Sequence, residues 1–297
     1  MTFSELIFDY TFQVVAMGSA LLGIISGILG TFAVLRKQSL LGDGVSHSAL
    51  PGVVLAFLLT GSKNTEILLL GALITGLLAT FGILGIVKFT RIKFDSALAM
   101  VLAVFFGGGL VFLTYSQKIP NANQAGLDRF IYGQTSAILV RDVWLMVICG
   151  VIMFVVVALL WKEFKLISFD PEFAQSIGYP VGKLNALLTF LMVMAIIIGL
   201  QTVGVILMSA MLIAPAVAAR QWTNRLSIMT ILASVFGAIS GVGGTMVSSM
   251  VSSMPTGPVI VLCVTGIAFF SLLFAPNRGI VHKIYMRKQF KKEGQVL

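Results

Sequence analysis

Nine long apolar segments separated by short polar connections restrict this chain to a membrane fold. They lie at 14–34, 46–61, 66–87, 96–116, 141–161, 184–200, 202–219, 226–249 and 258–275. A helix needs about 20 apolar residues to cross a bilayer. Only 10% of the 297 residues are charged, against about 25% in a soluble domain. The sequence therefore predicts an all-α, polytopic transmembrane bundle, one domain over residues 1–297, with eight or nine spans because two segments are short and one contains Pro215.

The basic residues are divided unequally between the two sides of the predicted bundle. Of 20 Lys and Arg residues, Lys63, Lys118, Arg129 and Arg141 fall on one side, and the other sixteen fall in the alternate connections or the tail at 276–297. Cytoplasmic loops carry the excess of Lys and Arg. We therefore expect an external N-terminus, a cytoplasmic C-terminus and no nucleic-acid partner for the net charge of +9. The tail is either an interfacial helix on anionic lipid or a plain topology anchor.

A polar stretch at the start of the second apolar segment is the best candidate for chemistry. Asp43 and His47 are four residues apart, so a helix places both side chains on one face. Pro51 lacks the N–H that would bond the carbonyl of His47, and Gly42 and Gly44 let the backbone bend nearby. Carboxylate and imidazole suit Mn²⁺, Fe²⁺ or Zn²⁺. Spacing alone also allows a simple N-cap with a hydrogen-bonded partner. A full metal site needs more than two ligands, and a symmetric dimer would bring four to its axis.

A second motif lies in the predicted cytoplasmic connection at 162–183. An N-cap, a proline, an acidic residue and a closing glycine are typical of a short capped helix: Asp170, Pro171, Glu172 and Gly178. Phe173 and Ile177 would form one apolar stripe on this helix, outside the membrane. Such a stripe either packs on the chain's own bundle or inserts into a groove on a partner.

The remaining connections contribute two expectations. The external connection at 117–140 is the longest, and loops of this length are often functional, so it is a candidate docking site for an external partner. No Gly-rich phosphate loop ending in Lys-Ser/Thr occurs in the sequence. We therefore expect that this chain is not an enzyme and that another chain binds any ATP it uses.

Five motifs in a fixed order resemble the membrane permease of bacterial manganese/zinc/iron ATP-binding-cassette (ABC) importers. They are VLRKQSLLGDGVSHSALPGV (34–53), PNANQAGLDRFIYGQ (120–134), SFDPEFAQSIGYPV (168–181), GVILMSAMLIAPAVAA (204–219) and PTGPVIVL (255–262). The resemblance implies a fold similar to that of the cobalamin- and siderophore-importing (type II) permeases. It implies that Asp43 and His47 contact the passing ion. It also implies that residues 170–178 form the coupling helix seated in a groove of the ATPase subunit.

The same resemblance implies a function and a set of partners. The chain would be a multi-pass protein of the bacterial cell membrane that carries Mn²⁺, Zn²⁺ or Fe²⁺ inward as its substrate, with no permanently bound cofactor. Its partners would be cytoplasmic ABC ATPase subunits, an extracellular metal-binding lipoprotein or periplasmic protein, and a second permease copy, identical or paralogous. The alternative is a secondary metal transporter or channel driven by an ion gradient, since proton relays also use intramembrane Asp and His.

Overall fold

A computed structural model describes residues 8–62, 64–118, 140–251, 254–276 and 278–282 of the chain. The regular elements of this part are α-helices, as predicted, because lipid leaves the backbone to satisfy its own hydrogen bonds. In chain order they are α1 (Tyr10–Leu35), α2 (Leu41–Thr60), α3 (Thr65–Phe89), α4 (Phe94–Gln117), α5 (Val140–Leu159), α6 (Trp161–Phe169), α7 (Pro171–Ser176), α8 (Val181–Val203), α9 (Val205–Trp222), α10 (Leu226–Met250) and α11 (Thr256–Phe274).

Eight of the described helices are long and apolar enough to cross a membrane, namely α1 to α5, α8, α10 and α11. They match eight of the nine predicted segments. The ninth segment corresponds to α9, which has 18 residues and contains Pro215. The expectation of eight or nine spans is therefore confirmed. Most of the predicted connection at 117–140, and the predicted tail beyond residue 282, lie outside the described residues.

The chain reverses direction between α8 and α9 at a single glycine. Gly204 has φ +86°, a backbone conformation that glycine adopts without steric penalty. A Cβ on Gly199 would fall on the side chain of Met208, although nine residues of straight helix would hold these positions about 13 Å apart. The two helices therefore form a hairpin, and α9 returns through the bundle as a separate segment.

Helices α1 and α10 approach each other closely. A Cβ on Gly23 would coincide with the backbone of Gly237, and a Cβ on Gly27 would meet the backbone of Ala233. Small residues allow this approach, which is the usual way that helices associate in lipid. Next to the glycines, the buried hydroxyls of Thr31 and Thr230 lie 3.2 Å apart. The backbones of α1 and α10 are therefore in direct contact along this face.

Replacing Gly237 with valine should destabilise the bundle. The new side chain has no room against α1, and overpacking of this kind costs about 1–3 kcal/mol. The matched control is Gly243→Val on the same helix, because a Cβ at Gly243 meets nothing within 4 Å. Thermal unfolding of both purified variants measures the difference. Equal melting temperatures would contradict the close packing of α1 on α10.

Candidate metal site

The helix that carries Asp43 begins immediately after a tight turn. The N–H of Arg36 bonds the carbonyl of Phe32, and Lys37 then adopts φ +57°, so α1 ends and the chain turns into α2. Arg36 is largely buried beside this turn, and desolvation lowers the pKa of its guanidinium from the usual value. The turn places Asp43 in the first turn of α2, where a carboxylate complements the positive end of the helix dipole.

Asp43 and His47 lie on one face of α2, as their spacing predicts. The Oδ1 atom of Asp43 is 3.5 Å from Nε2 of His47. The side chain of Asp43 is 43% exposed and that of His47 is 25% exposed. Both side chains are therefore partly exposed on this face rather than packed in the interior, and an ion approaching the face would meet a carboxylate oxygen and an imidazole nitrogen together.

The imidazole is held in place by an aromatic neighbour on α4. The rings of His47 and Phe106 are nearly perpendicular, with centroids 4.8 Å apart and an interplanar angle of 78°. The Nδ1 atom of His47 is buried and has no hydrogen-bond partner within the described part of the chain, and the same holds for the hydroxyls of Ser46 and Ser48. Buried polar atoms normally have a partner. These three polar atoms therefore have unmet hydrogen-bonding capacity beside the Asp43–His47 pair.

The glycines and the proline of the motif lie against neighbouring helices. Gly42 faces Leu212, and a Cβ on Gly44 would stand 3.2 Å from Cδ1 of Leu98. Pro51 lies within α2, which continues to Thr60, and its ring packs against Gly109 of α4. Small residues here bring α2 close to α4 and α9. Residues 41–60 form one unbroken helix. The bend that the sequence suggested at Gly42, Gly44 and Pro51 stays a prediction.

The described part of one chain supplies too few ligands for a metal. Within the described residues, no group of three or more His, Cys, Asp and Glu side chains is placed to hold an ion. Two protein ligands leave a divalent transition metal well short of the four to six that it takes. Asp43 and His47 alone would therefore leave a metal ion with an incomplete set of protein ligands.

The second predicted motif forms the short helix α7, with the caps that the sequence indicates. Asp170 accepts a hydrogen bond from the N–H of Phe173 at 2.9 Å, Pro171 opens the helix, and Gly178 closes it at φ +91°. Ala174 faces the protein and is fully buried. On the opposite face, the apolar residues are exposed, Phe173 to 53% and Ile177 to 51%. The described residues therefore leave about half of each of these side chains uncovered, and insertion of the stripe into a partner's groove stays a prediction.

Comparison with known proteins places this arrangement in a family. The model of the ABC 3 transport family matches residues 8–275, which include both motifs. The chain belongs to the ABC 3 transport family. This membership confirms the resemblance that the five motifs carry and accounts for the order in which they occur.

Three relatives show how far this family likeness extends. The chain is 51% identical to the zinc transport system membrane protein TroC of Treponema pallidum, over 95% of this chain and 94% of that protein. It is 49% identical to the manganese transport system membrane protein MntC of Bacillus subtilis, over 91% of this chain and 62% of that protein. The structure of PsaBC from Streptococcus pneumoniae in complex with Fab matches with TM-score 0.80 at 30% identity, covering 93% of this chain and 97% of that one.

One element of this family member was not foreseen. Residues 161–169 form α6, whereas the sequence predicted only a connection after 141–161. The rings of Trp161 and Phe164 both contact Phe32 edge-on, with centroids 5.8 and 6.1 Å away. Phe164 and Ile167, three residues apart, are the buried positions of α6. That i, i+3 spacing was the available signal, and α6 anchors α7 to the end of α1.

Proposed function

We propose that this chain is the membrane permease subunit of an importer that moves a divalent transition metal into the cytoplasm, driven by ATP hydrolysis on a separate subunit. The observation that carries the proposal is the Asp43–His47 pair, which presents an oxygen and a nitrogen atom on a partly exposed face of a membrane helix. Membership of a transport family and relatives named for zinc and manganese transport support it. The ion is the substrate of the permease, bound in passing.

A second copy of the chain completes the site in this proposal. A carboxylate as exposed as that of Asp43 is costly against lipid, so another surface must cover it. On α4, beside the Phe106 that touches His47, Gly107 and Gly108 have no neighbour within 4 Å of a Cβ position, and a partner's helix can approach closely there. A two-fold axis next to Asp43 would bring two carboxylates and two imidazoles to one ion.

The hydroxyls next to the imidazole belong to the route of the ion. Ser46 and Ser48 are fully buried, and their oxygens have no hydrogen-bond partner among the described residues. Oxygen atoms of this kind can replace water molecules around a cation that is losing its hydration shell. We assign them to transient contacts with the ion on either side of His47.

The cytoplasmic and external partners follow from the same proposal. The exposed stripe of Phe173 and Ile177 on α7 docks into a groove of the ATPase subunit, and the excess of basic residues orients this side toward the cytoplasm. An extracellular metal-binding protein delivers the ion at the opposite side, where the connection at 117–140 is the docking candidate. ATP binding and hydrolysis then switch the pair of permeases between outward-facing and inward-facing states.

Metal analysis of the purified complex tests the shared site directly. We expect about one Mn²⁺ or Zn²⁺ ion for every two permease chains after dialysis against the metal, since a two-fold axis carries a single ion. His47→Ala should retain none. The chain offers a matched control in its other histidine, His282, which is exposed, and His282→Ala should retain metal as the native protein does. One ion per chain would refute a site shared between two copies.

A further inference from the structure

The plane of the His47 imidazole is not fixed by a hydrogen bond from the described residues. Its Nδ1 atom is buried and has no hydrogen-bond partner among them. Its Nε2 atom lies 3.5 Å from Oδ1 of Asp43, beyond the range of about 2.7–3.2 Å for an N–H···O hydrogen bond. The second side-chain torsion of histidine has broad energy wells, so this ring needs another contact to hold its orientation.

The ring of Phe106 on α4 provides such a contact. Its centroid is 4.8 Å from that of the His47 imidazole, and the two planes are inclined by 78°. This is the edge-to-face arrangement that pairs of aromatic rings prefer. Rotation of the imidazole about its Cβ–Cγ bond would destroy the arrangement, so the phenyl ring opposes that rotation.

Close packing of α4 on α2 fixes the position of Phe106 itself. One turn after Phe106, a Cβ on Gly109 would stand 2.9 Å from Cδ of Pro51. About two turns before it, Cδ1 of Leu98 would stand 3.2 Å from a Cβ on Gly44. The histidine lies between Gly44 and Pro51 in the sequence of α2. The phenyl ring is therefore held against it by helix contacts on both sides.

The two nitrogen atoms of the imidazole have different surroundings. Nδ1 is buried, whereas the side chain of His47 as a whole is 25% exposed, so the exposed atoms lie elsewhere on the ring. Nε2 is the nitrogen next to the carboxylate of Asp43, which is 43% exposed. While the ring keeps this orientation, an ion that binds both residues can reach Nε2 and not Nδ1.

A metal-binding histidine is normally oriented by a hydrogen bond from its other nitrogen, which determines the nitrogen that binds the metal. His47 lacks such a partner within the described part of the chain. The adjacent hydroxyls of Ser46 and Ser48 do not provide one, because each of them is also without a partner there. The aromatic contact with Phe106 therefore takes the place of the usual hydrogen bond.

We propose that Phe106 is a positioning residue of the transport site, whose ring holds the His47 imidazole so that Nε2, rather than Nδ1, is presented to the ion beside Oδ1 of Asp43. This inference rests on the proposed function, since it requires a divalent transition metal to bind the pair. A phenyl ring offers no nitrogen, oxygen or sulfur ligand. It therefore restrains the imidazole without adding a bond that the ion must break when it leaves.

Imidazole NMR of the full-length permease tests the proposal, because the chain contains only two histidines. Labelling with ¹⁵N-histidine gives signals from His47 and from His282, which is exposed and serves as the internal reference. In the metal-free protein, His47 should give a single set of ring signals. After addition of ¹¹³Cd²⁺, coupling between the metal and nitrogen should appear at Nε2 of His47 alone.

Removing the phenyl ring should divide the metal between the two nitrogens. In Phe106→Leu we expect a second set of His47 signals in the metal-free protein and cadmium coupling at both Nδ1 and Nε2. Affinity for Cd²⁺ should fall by about 10-fold, as when a group that orients a metal ligand is lost. Phe106→Tyr keeps an aromatic ring and should give the native spectrum. A purely structural role would lower the melting temperature without changing which nitrogen is bound.

The matched control is Phe105→Leu on the same helix. Phe105 packs against a separate apolar cluster that includes Ala79 and Ile83 of α3. Its replacement removes a ring of the same size from α4 and should leave the His47 signals and the affinity for Cd²⁺ unchanged. If Phe105→Leu divided the cadmium coupling as Phe106→Leu does, the assignment to Phe106 would be wrong.

The outcomes distinguish this inference from the proposed function. If Cd²⁺ produced no coupling to His47 in the wild-type protein, both would be overturned, because the imidazole would not be a ligand. Coupling at Nε2 that persists unchanged in Phe106→Leu would overturn the role of Phe106 alone, as would coupling at Nδ1 in the wild type. If Phe106→Leu does not fold, Phe106→Ile provides the same comparison with another apolar side chain.

Discussion

Metal uptake by cells that depend on this transporter should fall by more than about 100-fold when His47 is replaced by alanine, and equally when Asp43 is replaced. Changing a residue that only orients a metal ligand costs about 10–100-fold in affinity or activity, and these two side chains are the proposed ligands themselves. A two-fold axis makes the loss larger, because each substitution removes two ligands from one ion. Uptake of radioactive Mn²⁺ and Zn²⁺ measures the effect.

The control separates a metal ligand from a helix-stabilising carboxylate. Asp95 occupies the first turn of α4, as Asp43 does in α2, so both complement a helix dipole. Asp95 has no histidine one turn away. Asp95→Ala should therefore transport metal normally, and all variants should reach the membrane in similar amounts. Normal uptake by both Asp43→Ala and His47→Ala would refute the assignment of the site.

The same assay distinguishes an ATP-driven permease from a secondary transporter. In vesicles that contain the permease without its ATPase, we expect no accumulation of metal, with or without a proton gradient. Accumulation that needs no ATPase and stops when the proton gradient is collapsed would favour the alternative, in which Asp43 and His47 relay protons.

Structural features that depend on residues only a few positions apart could be predicted from the sequence. The helix α7 was predicted with its N-cap Asp170 and its closing residue Gly178, because capping depends on residue types within a few positions. The shared face of Asp43 and His47 followed in the same way from helical periodicity. The family resemblance was read from five such local motifs, and the family model that spans residues 8–275 confirms it.

What the sequence left undecided depends on contacts between distant segments. The helix α6 is stabilised by contacts of Trp161 and Phe164 with Phe32, more than 120 residues earlier. The reversal at Gly204 depends on one glycine inside a nearly continuous apolar run, where hydropathy gives no boundary. The ligands that would complete a metal site with Asp43 and His47 are a third case, because in the proposed function they come from a second copy of the chain.

Breaking the short helix α7 should separate the permease from its ATPase. In Ala174→Pro, the ring removes the hydrogen bond from the N–H of residue 174 to the carbonyl of Asp170, which is 3.1 Å long in the native chain. Proline inside a helix costs about 3 kcal/mol or more, and α7 has only six residues. We expect loss of ATPase co-purification and of metal uptake, while the membrane-embedded helices still fold.

A surface substitution tests the same contact without disturbing the backbone. Phe173→Ser removes an apolar side chain that is 53% exposed, so it should leave the stability of the permease unchanged. If this ring is an anchor in a partner's groove, its truncation should weaken binding of the ATPase by at least about 2 kcal/mol, roughly 30-fold in affinity. Phe89→Ser is the matched control, since Phe89 is 82% exposed at the end of α3, on the side predicted to be cytoplasmic.

The outcome for these variants determines what α7 does. The helix α7 directly follows α6, and the rings of Trp161 and Phe164 on α6 contact Phe32 on α1. A movement of α7 caused by the ATPase can therefore be transmitted through α6 to the end of α1. That end leads through the turn at Lys37 into α2 and Asp43. An ATPase that still binds Phe173→Ser and Ala174→Pro with native affinity would place the docking surface elsewhere. Loss of binding in both, with Phe89→Ser unaffected, would support a route from the ATPase through α7, α6 and the end of α1 to Asp43.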